Sequence, residues 1–134
     1  PKIMKDLVQN GKTHLKGNGN IKRDFLYVKD AVRGILSLGE NVNKKEVNGK
    51  SVTFASGNLS SIRDIAHLIQ SSFPRRVEVS FDGVAFEDRD HPHLDISPTQ
   101  TLLGWKPQHS MKEGLLETVK WYDTYFATQQ EESK

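Results

Sequence analysis

The run Gly17-Asn18-Gly19-Asn20-Ile21-Lys22-Arg23-Asp24-Phe25-Leu26-Tyr27-Val28-Lys29-Asp30 carries the residue types best suited to chemistry. Its two glycines permit positive-φ backbone and a sharp bend that exposes amide groups. Arg23 follows directly, and a guanidinium presents permanently charged, planar, paired donors that suit a carboxylate or a phosphate. Two readings stand here: an anion-handling corner, or the turn-plus-arginine common on protein surfaces. A second charged run, Glu87-Asp88-Arg89-Asp90-His91-Pro92-His93-Leu94-Asp95, is not required for packing and is a candidate site wall. Asp88, Asp90 and Asp95 offer carboxylates for acid–base work, or solvated partners for Arg89. His91 and His93 are close, but two imidazoles without a third ligand make a weak metal site. His67 lies beside a helical apolar face as a surface or partly buried imidazole. His14 and His109 flank turns with no partner evident from the sequence.

Composition removes several other classes of function. There is no cysteine, which excludes disulfides, thiol catalysis and zinc-thiolate centres. Net charge is +2, from 19 basic and 17 acidic residues that are mostly interspersed, too little to argue for nucleic acid as a partner. The densest basic region, Lys12 to Lys29, has only Phe25 and Tyr27 as an aromatic platform on which bases could stack. No apolar run approaches the roughly 20 residues that a bilayer requires. No membrane partner is expected, and a cytoplasmic location fits. Phosphate loop, dinucleotide fingerprint, zinc-protease helix and nucleophile elbow are all absent from the sequence.

The elements that must position these residues follow from periodicity and capping chemistry. Ile3, Met4, Leu7 and Val8 predict an opening helix stopped at Asn10-Gly11, and Thr13 to Lys16 a short strand. Arg23 to Val28 predicts another strand. Ala31, Val32, Ile35, Leu36 and Leu38 then mark an amphipathic helix from Val28 to Gly39, with Asp30 in its first turn as a dipole partner. Val52 to Ala55 predicts a buried strand. Ser61 with Asp64, and Ser110 with Glu113, have capping-box spacing and open helices that run to Phe73 and through Phe126. Val77 to Phe81 alternates as a half-buried strand ending at Asp82-Gly83, and Ser97-Pro98 starts a short helix closed by Gly104. Trp105 and Trp121 read as core or boundary residues, and Tyr27, Tyr122 and Tyr125 as packing residues with a polar end. Residues Thr128 to Lys134 are polar and predicted to fray. Alternating helices and strands give an α/β class within a single 134-residue region. Four short strands make an incomplete sheet, so part of it is expected to lie outside this chain.

Three linked motifs resemble one family. Gly17-Asn18-Gly19 with Arg23 to Asp30, then Phe54-Ala55-Ser56-Gly57 with Ser61 to Ala66, then Asp95-Ile96-Ser97 through Leu103-Gly104-Trp105-Lys106-Pro107 to Trp121-Tyr122 match extended short-chain dehydrogenases/reductases that act on nucleotide sugars. Order and spacing agree over nearly the whole chain. The resemblance implies a carboxy-terminal, substrate-binding portion of a Rossmann-type, NAD-dependent epimerase, dehydratase or decarboxylase of nucleoside-diphosphate sugars. The family's glycine-rich NAD fingerprint and its Tyr-x-x-x-Lys lie upstream, so no catalysis and no NAD binding are expected of this chain alone. Its Pro1 start fits a processed or partial chain.

The resemblance also suggests individual roles. Arg23 matches the arginine that contacts the substrate diphosphate. Arg89 stands where a second diphosphate arginine is found, although the usual Arg-Pro-Gly-Asp type of segment is replaced by Glu87 to Pro92, and His91 or His93 can share the task. Leu15 and Lys16 fall where relatives hold the base, and an aromatic is frequent at the position of Lys16. Ala55 replaces a frequent asparagine. Expected partners are a nucleoside-diphosphate sugar and a missing amino-terminal domain, a partner chain or a second copy. A competing reading is a non-catalytic association module derived from the same fold, whose uncovered sheet edge and helix face would be adhesive.

Overall fold

The computed structural model describes residues 1–84 and 93–131. Its elements, in chain order, are helix α1 (Lys2–Asn10), strands β1 (Lys12–Leu15) and β2 (Lys22–Asp24), helix α2 (Val28–Asn41), strand β3 (Leu59–Ser61), helix α3 (Ile62–Ser72), strand β4 (Glu78–Phe81), and helices α4 (Ser97–Leu103) and α5 (Met111–Glu131). The α/β class holds. The strands form two separate ladders, a parallel β1–β4 pair and an antiparallel β2–β3 pair. Among the described residues no helix is long and apolar enough to cross a membrane.

One core joins α1, α3 and α5 over β4. Met4 and Leu7 of α1, Ile65 and Ile69 of α3, Phe73, Val77 and Val119 of α5 are buried together. Burying a side chain of this size contributes about 1.5–3 kcal/mol relative to leaving it in water, which is what docks these helices. Both capping boxes form. Ser61 Oγ accepts from the Asp64 amide at 3.0 Å and Ser110 Oγ from the Glu113 amide at 3.3 Å, while each carboxylate reaches back to the first residue's backbone N–H. In α4 the amide of Ser97 is held by the Asp95 carboxylate at 2.9 Å, so the helix is entered one residue earlier than Ser97-Pro98 capping predicts.

Three predicted elements are corrected. The strand from Arg23 stops at Asp24, because the next residues turn away to begin α2 and the ladder with β3 ends at Leu59. β3 itself has no signal in the sequence beyond the capping residue it leads into. Val52 to Ala55 is not a strand. Thr53 instead gives its amide to Thr99 Oγ1 at 2.9 Å and receives that hydroxyl's proton on its carbonyl, so a side chain on α4 supplies what a ladder neighbour would. Ala55 is buried as expected.

The third correction concerns α2. The helix continues past Gly39 to Asn41, and its apolar face points outward: Val28, Val32, Ile35 and Leu36 are 63%, 49%, 62% and 62% exposed. Asp30 and Gly34 occupy the inward face. Gly34 sits there because the Phe54 ring lies where a side chain would begin; a Cβ would come within 2.6 Å of it. Phe54 in turn packs edge-on against the buried Trp105 at 4.9 Å. α5 remains helical through Glu131, beyond the predicted frayed point at Thr128.

Candidate functional site

Residues 18–24 are zipped antiparallel against residues 59–63. The Arg63 guanidinium donates to the Asn18 carbonyl, the Arg63 amide to the Gly19 carbonyl at 2.9 Å, and the Ile62 amide to the Ile21 carbonyl at 3.0 Å. The β2–β3 ladder continues this with Lys22 opposite Ser61, Arg23 opposite Ser60 and Asp24 opposite Leu59. The glycine turn at its start is closed by internal bonds. Asp82 Oδ1 accepts from the Gly17 amide at 2.7 Å and Asn18 Oδ1 from the Asn20 amide at 3.0 Å. The bend therefore does not present those two amides to a ligand, contrary to the expectation for a glycine turn. Amide hydrogen bonds from Val84 and Gly17 hold the Asp82 carboxyl below the ordinary carboxylate range.

Arg23 lies on β2, half-buried, with Nη1 donating to the Lys22 carbonyl at 3.0 Å. The two carboxylates of its motif bind neighbouring segments. Asp24 accepts from the Ser56 and Gly57 amides at 2.7 and 2.8 Å, which pins the turn after Phe54. Asp30 is fully buried and accepts from Arg33 Nη2 at 2.7 Å and from the Gln108 and His109 amides at 3.1 and 3.0 Å. His109 Nδ1 lies 3.2 Å from the same carboxylate, and Trp105 Nε1 donates to the Asp30 carbonyl at 3.2 Å. Burial pushes the Asp30 carboxyl up, but the bonds from Arg33, His109 and Gln108 outweigh it and lower its pKa to about 2. Asp30 is thus the staple between α2 and the loop before α5, a larger role than partner of the helix dipole. His109, without an assignable partner in the sequence, also packs edge-on against Tyr27 at 5.0 Å.

Between these two staples lies a cavity of about 500 Å³, bounded by Phe25, Tyr27, Ser56, Asn58, Gln108 and His109 among others. A second, of about 700 Å³, lies between the start of α2 and α5 and includes Lys29, Trp121 and Tyr122. The lining of neither contains Arg23, Leu15 or Lys16. Leu15 ends β1 opposite Phe81, and the exposed Lys16 follows it into the glycine turn. Leu15 and Arg23 thus stand on different ladders, joined through residues 16–22. Arg89 and His91, with Asp88 and Asp90, lie outside the described residues; His93 is exposed. Asp95 accepts from the Ser97 amide at 2.9 Å and so caps α4. His14 is within hydrogen-bonding distance of Ser80 Oγ at 3.0 Å, and His67 lies on the exposed side of α3. No group of three metal-ligating side chains occurs among the described residues.

Sequence reasoning missed Asp24, Asp30 and Arg63 as the residues that hold this region together. Their signal was weak. Each is a charged residue in or beside a motif, and only the fold shows that its partners come from 32, 79 and 45 residues away.

A family model described as GDP-mannose 4,6 dehydratase matches residues 1–118. UDP-glucuronic acid decarboxylase 1 of Danio rerio is 31% identical over 106 residues, which covers 79% of this chain and 24% of that protein. dTDP-D-glucose 4,6-dehydratase of Mus musculus is 29% identical over 132 residues, covering 94% of this chain and 36% of the relative. Among solved structures, UDP-glucuronic acid 4-epimerase from Bacillus cereus, in complex with UDP-glucuronic acid and NAD, superposes with a TM-score of 0.75 at 24% identity over 92% of this chain and 38% of that one. This chain therefore spans well under half the length of the proteins it matches.

Proposed function

We propose, from the premise that this chain belongs to the GDP-mannose 4,6 dehydratase family of extended, NAD-dependent nucleotide-sugar epimerases and dehydratases, that it binds the nucleoside diphosphate of a nucleotide sugar. The observation that carries the reading is the family match across residues 1–118, which contains both the glycine turn and Arg23. In this reading Arg23 neutralises the diphosphate, Arg89 and His91, outside the described residues, share that task, and Leu15 with Lys16 holds the base. Half-burial on a ladder strand limits the conformations of the Arg23 stem, which reduces the entropy lost when its guanidinium engages an anion.

Chemistry belongs to residues outside this chain. Tyr27, Tyr122 and Tyr125 are followed four positions later by Ala31, Phe126 and Gln129, so the sequence has no Tyr-x-x-x-Lys. NAD, held by the absent portion, would supply the redox step of an epimerase, dehydratase or decarboxylase. The outward apolar face of α2 is the seat we assign to that portion. The same face supports a second reading, an association module that seats a different chain. The intact mass of the natural polypeptide separates the two, because 15.2 kDa accounts only for the 134 residues here.

Calorimetric titration of the full-length protein with UDP-, GDP- and dTDP-sugars tests the proposal. Arg23→Ala is expected to weaken the preferred nucleotide sugar by at least about 1.5 kcal/mol, the loss of one charged hydrogen bond. Unchanged affinity would refute the role of Arg23.

A further inference from the structure

We propose that Arg63 is a positioning residue that holds the glycine turn, and through it Arg23, in the geometry that binds the nucleoside diphosphate; the proposal rests on the diphosphate reading of Arg23. Arg63 is the last rung of the zipper that carries Arg23 one rung from its other end. Its side chain donates to the Asn18 carbonyl and its amide to the Gly19 carbonyl, so it grips two successive residues of the turn. From there the Ile62 amide bonds the Ile21 carbonyl, and the ladder register continues with Lys22 opposite Ser61 and Arg23 opposite Ser60.

The guanidinium is itself fixed. Its Cζ lies 4.5 Å from the Phe81 ring centroid, close enough for a cation–π contact. Phe81 is paired with Leu15 across the parallel ladder, so the same ring connects Arg63 to the strand that ends in the base-binding candidate Leu15. Gly19 completes the stack. It has φ +76, and a Cβ there would meet the Phe81 ring at 2.6 Å and Arg63 Cβ at 3.0 Å, so no side chain fits between them. Leu15, Phe81, Gly19, Arg63 and the β2–β3 ladder therefore form one contiguous path between the two halves of the proposed binding surface. A lysine at position 63 would keep the charge but lose the flat stacking face and the fork of donors.

A double-mutant cycle on the full-length protein tests this, with UDP, GDP, dTDP and ADP titrated in turn to find the preferred diphosphate. R63M is expected to raise its dissociation constant about fivefold, in the range of residues coupled through one network. In the R23A background R63M should add almost nothing, since Arg63 acts through Arg23. R63K should recover only part of the loss. F81L, which withdraws the ring from beneath the guanidinium, should weaken binding in the same direction and serves, with R63K, if R63M does not fold. A purely structural Arg63 would lower the melting temperature and leave the affinity of the folded protein unchanged. That outcome, or full additivity with R23A, overturns the proposal. No effect of R23A itself would instead remove the underlying diphosphate reading.

Discussion

Asp30 shows how one side chain can set both stability and its dependence on pH. Its carboxylate is buried against three donors, so Asp30→Asn would place an amide NH₂ against backbone N–H groups that need an acceptor. A loss of about 3 kcal/mol is expected in urea unfolding near neutral pH, as when one member of a buried charged pair is removed. The sign with pH follows from the lowered pKa. Asp30 titrates at about 2 in the folded chain against 3.8 ordinarily, so its contribution is complete above the ordinary value and fades as pH falls toward the lower one. The gap between wild type and Asp30→Asn should therefore shrink by about 2 kcal/mol between neutral pH and pH 2. A constant gap would show that the carboxylate is not the source. Little of this was legible beforehand, because a helix-start aspartate looks the same whether it faces water or a loop 78 residues on.

Local rules placed the elements well, and packing decided the rest. The capping boxes at Ser61 and Ser110 were readable because both partners lie within four residues. The alternation of Val77 to Phe81 was readable too, although its parallel partner β1 was not. The strand expected at Val52 failed because hydrophobicity reports burial, whereas a strand needs a neighbouring ladder. α2 shows a different limit: its period was right and its apolar face is uncovered in this chain, since periodicity identifies an apolar face but not what covers it. The inward face has its own test. Gly34→Ala gains about 1 kcal/mol in helix propensity, yet its methyl would collide with a Phe54 ring already backed by Trp105. Net destabilisation of about 1–2 kcal/mol is expected from thermal unfolding. Phe54→Leu combined with Gly34→Ala should recover part of it, whereas simple additivity would place the strain elsewhere.

At the scale of the whole molecule, the same helix tests the proposal that this chain is part of a longer polypeptide. Ile35 is 62% exposed here, so Ile35→Lys should change the stability of the 134-residue chain by less than about 0.5 kcal/mol. In the full-length protein, where we propose that this face is covered, the buried ammonium should cost about 2 kcal/mol or more in the same denaturation experiment. Equal small effects in both would show that the face remains in water. The family and the α/β class could be read from linked motifs, whereas the division into two ladders depended on pairings such as Lys12 with Glu78 that no local pattern announces. These long pairings also impose an order on synthesis. β1 cannot join its ladder until β4 has left the ribosome, and the start of α2 waits for Gln108 and His109. Closing such loops costs entropy before any contact repays it. The nascent glycine turn therefore waits for Asp82 and Arg23 for Ser60, whereas the bonds of Asp30 at the start of α2 close only once translation has passed His109.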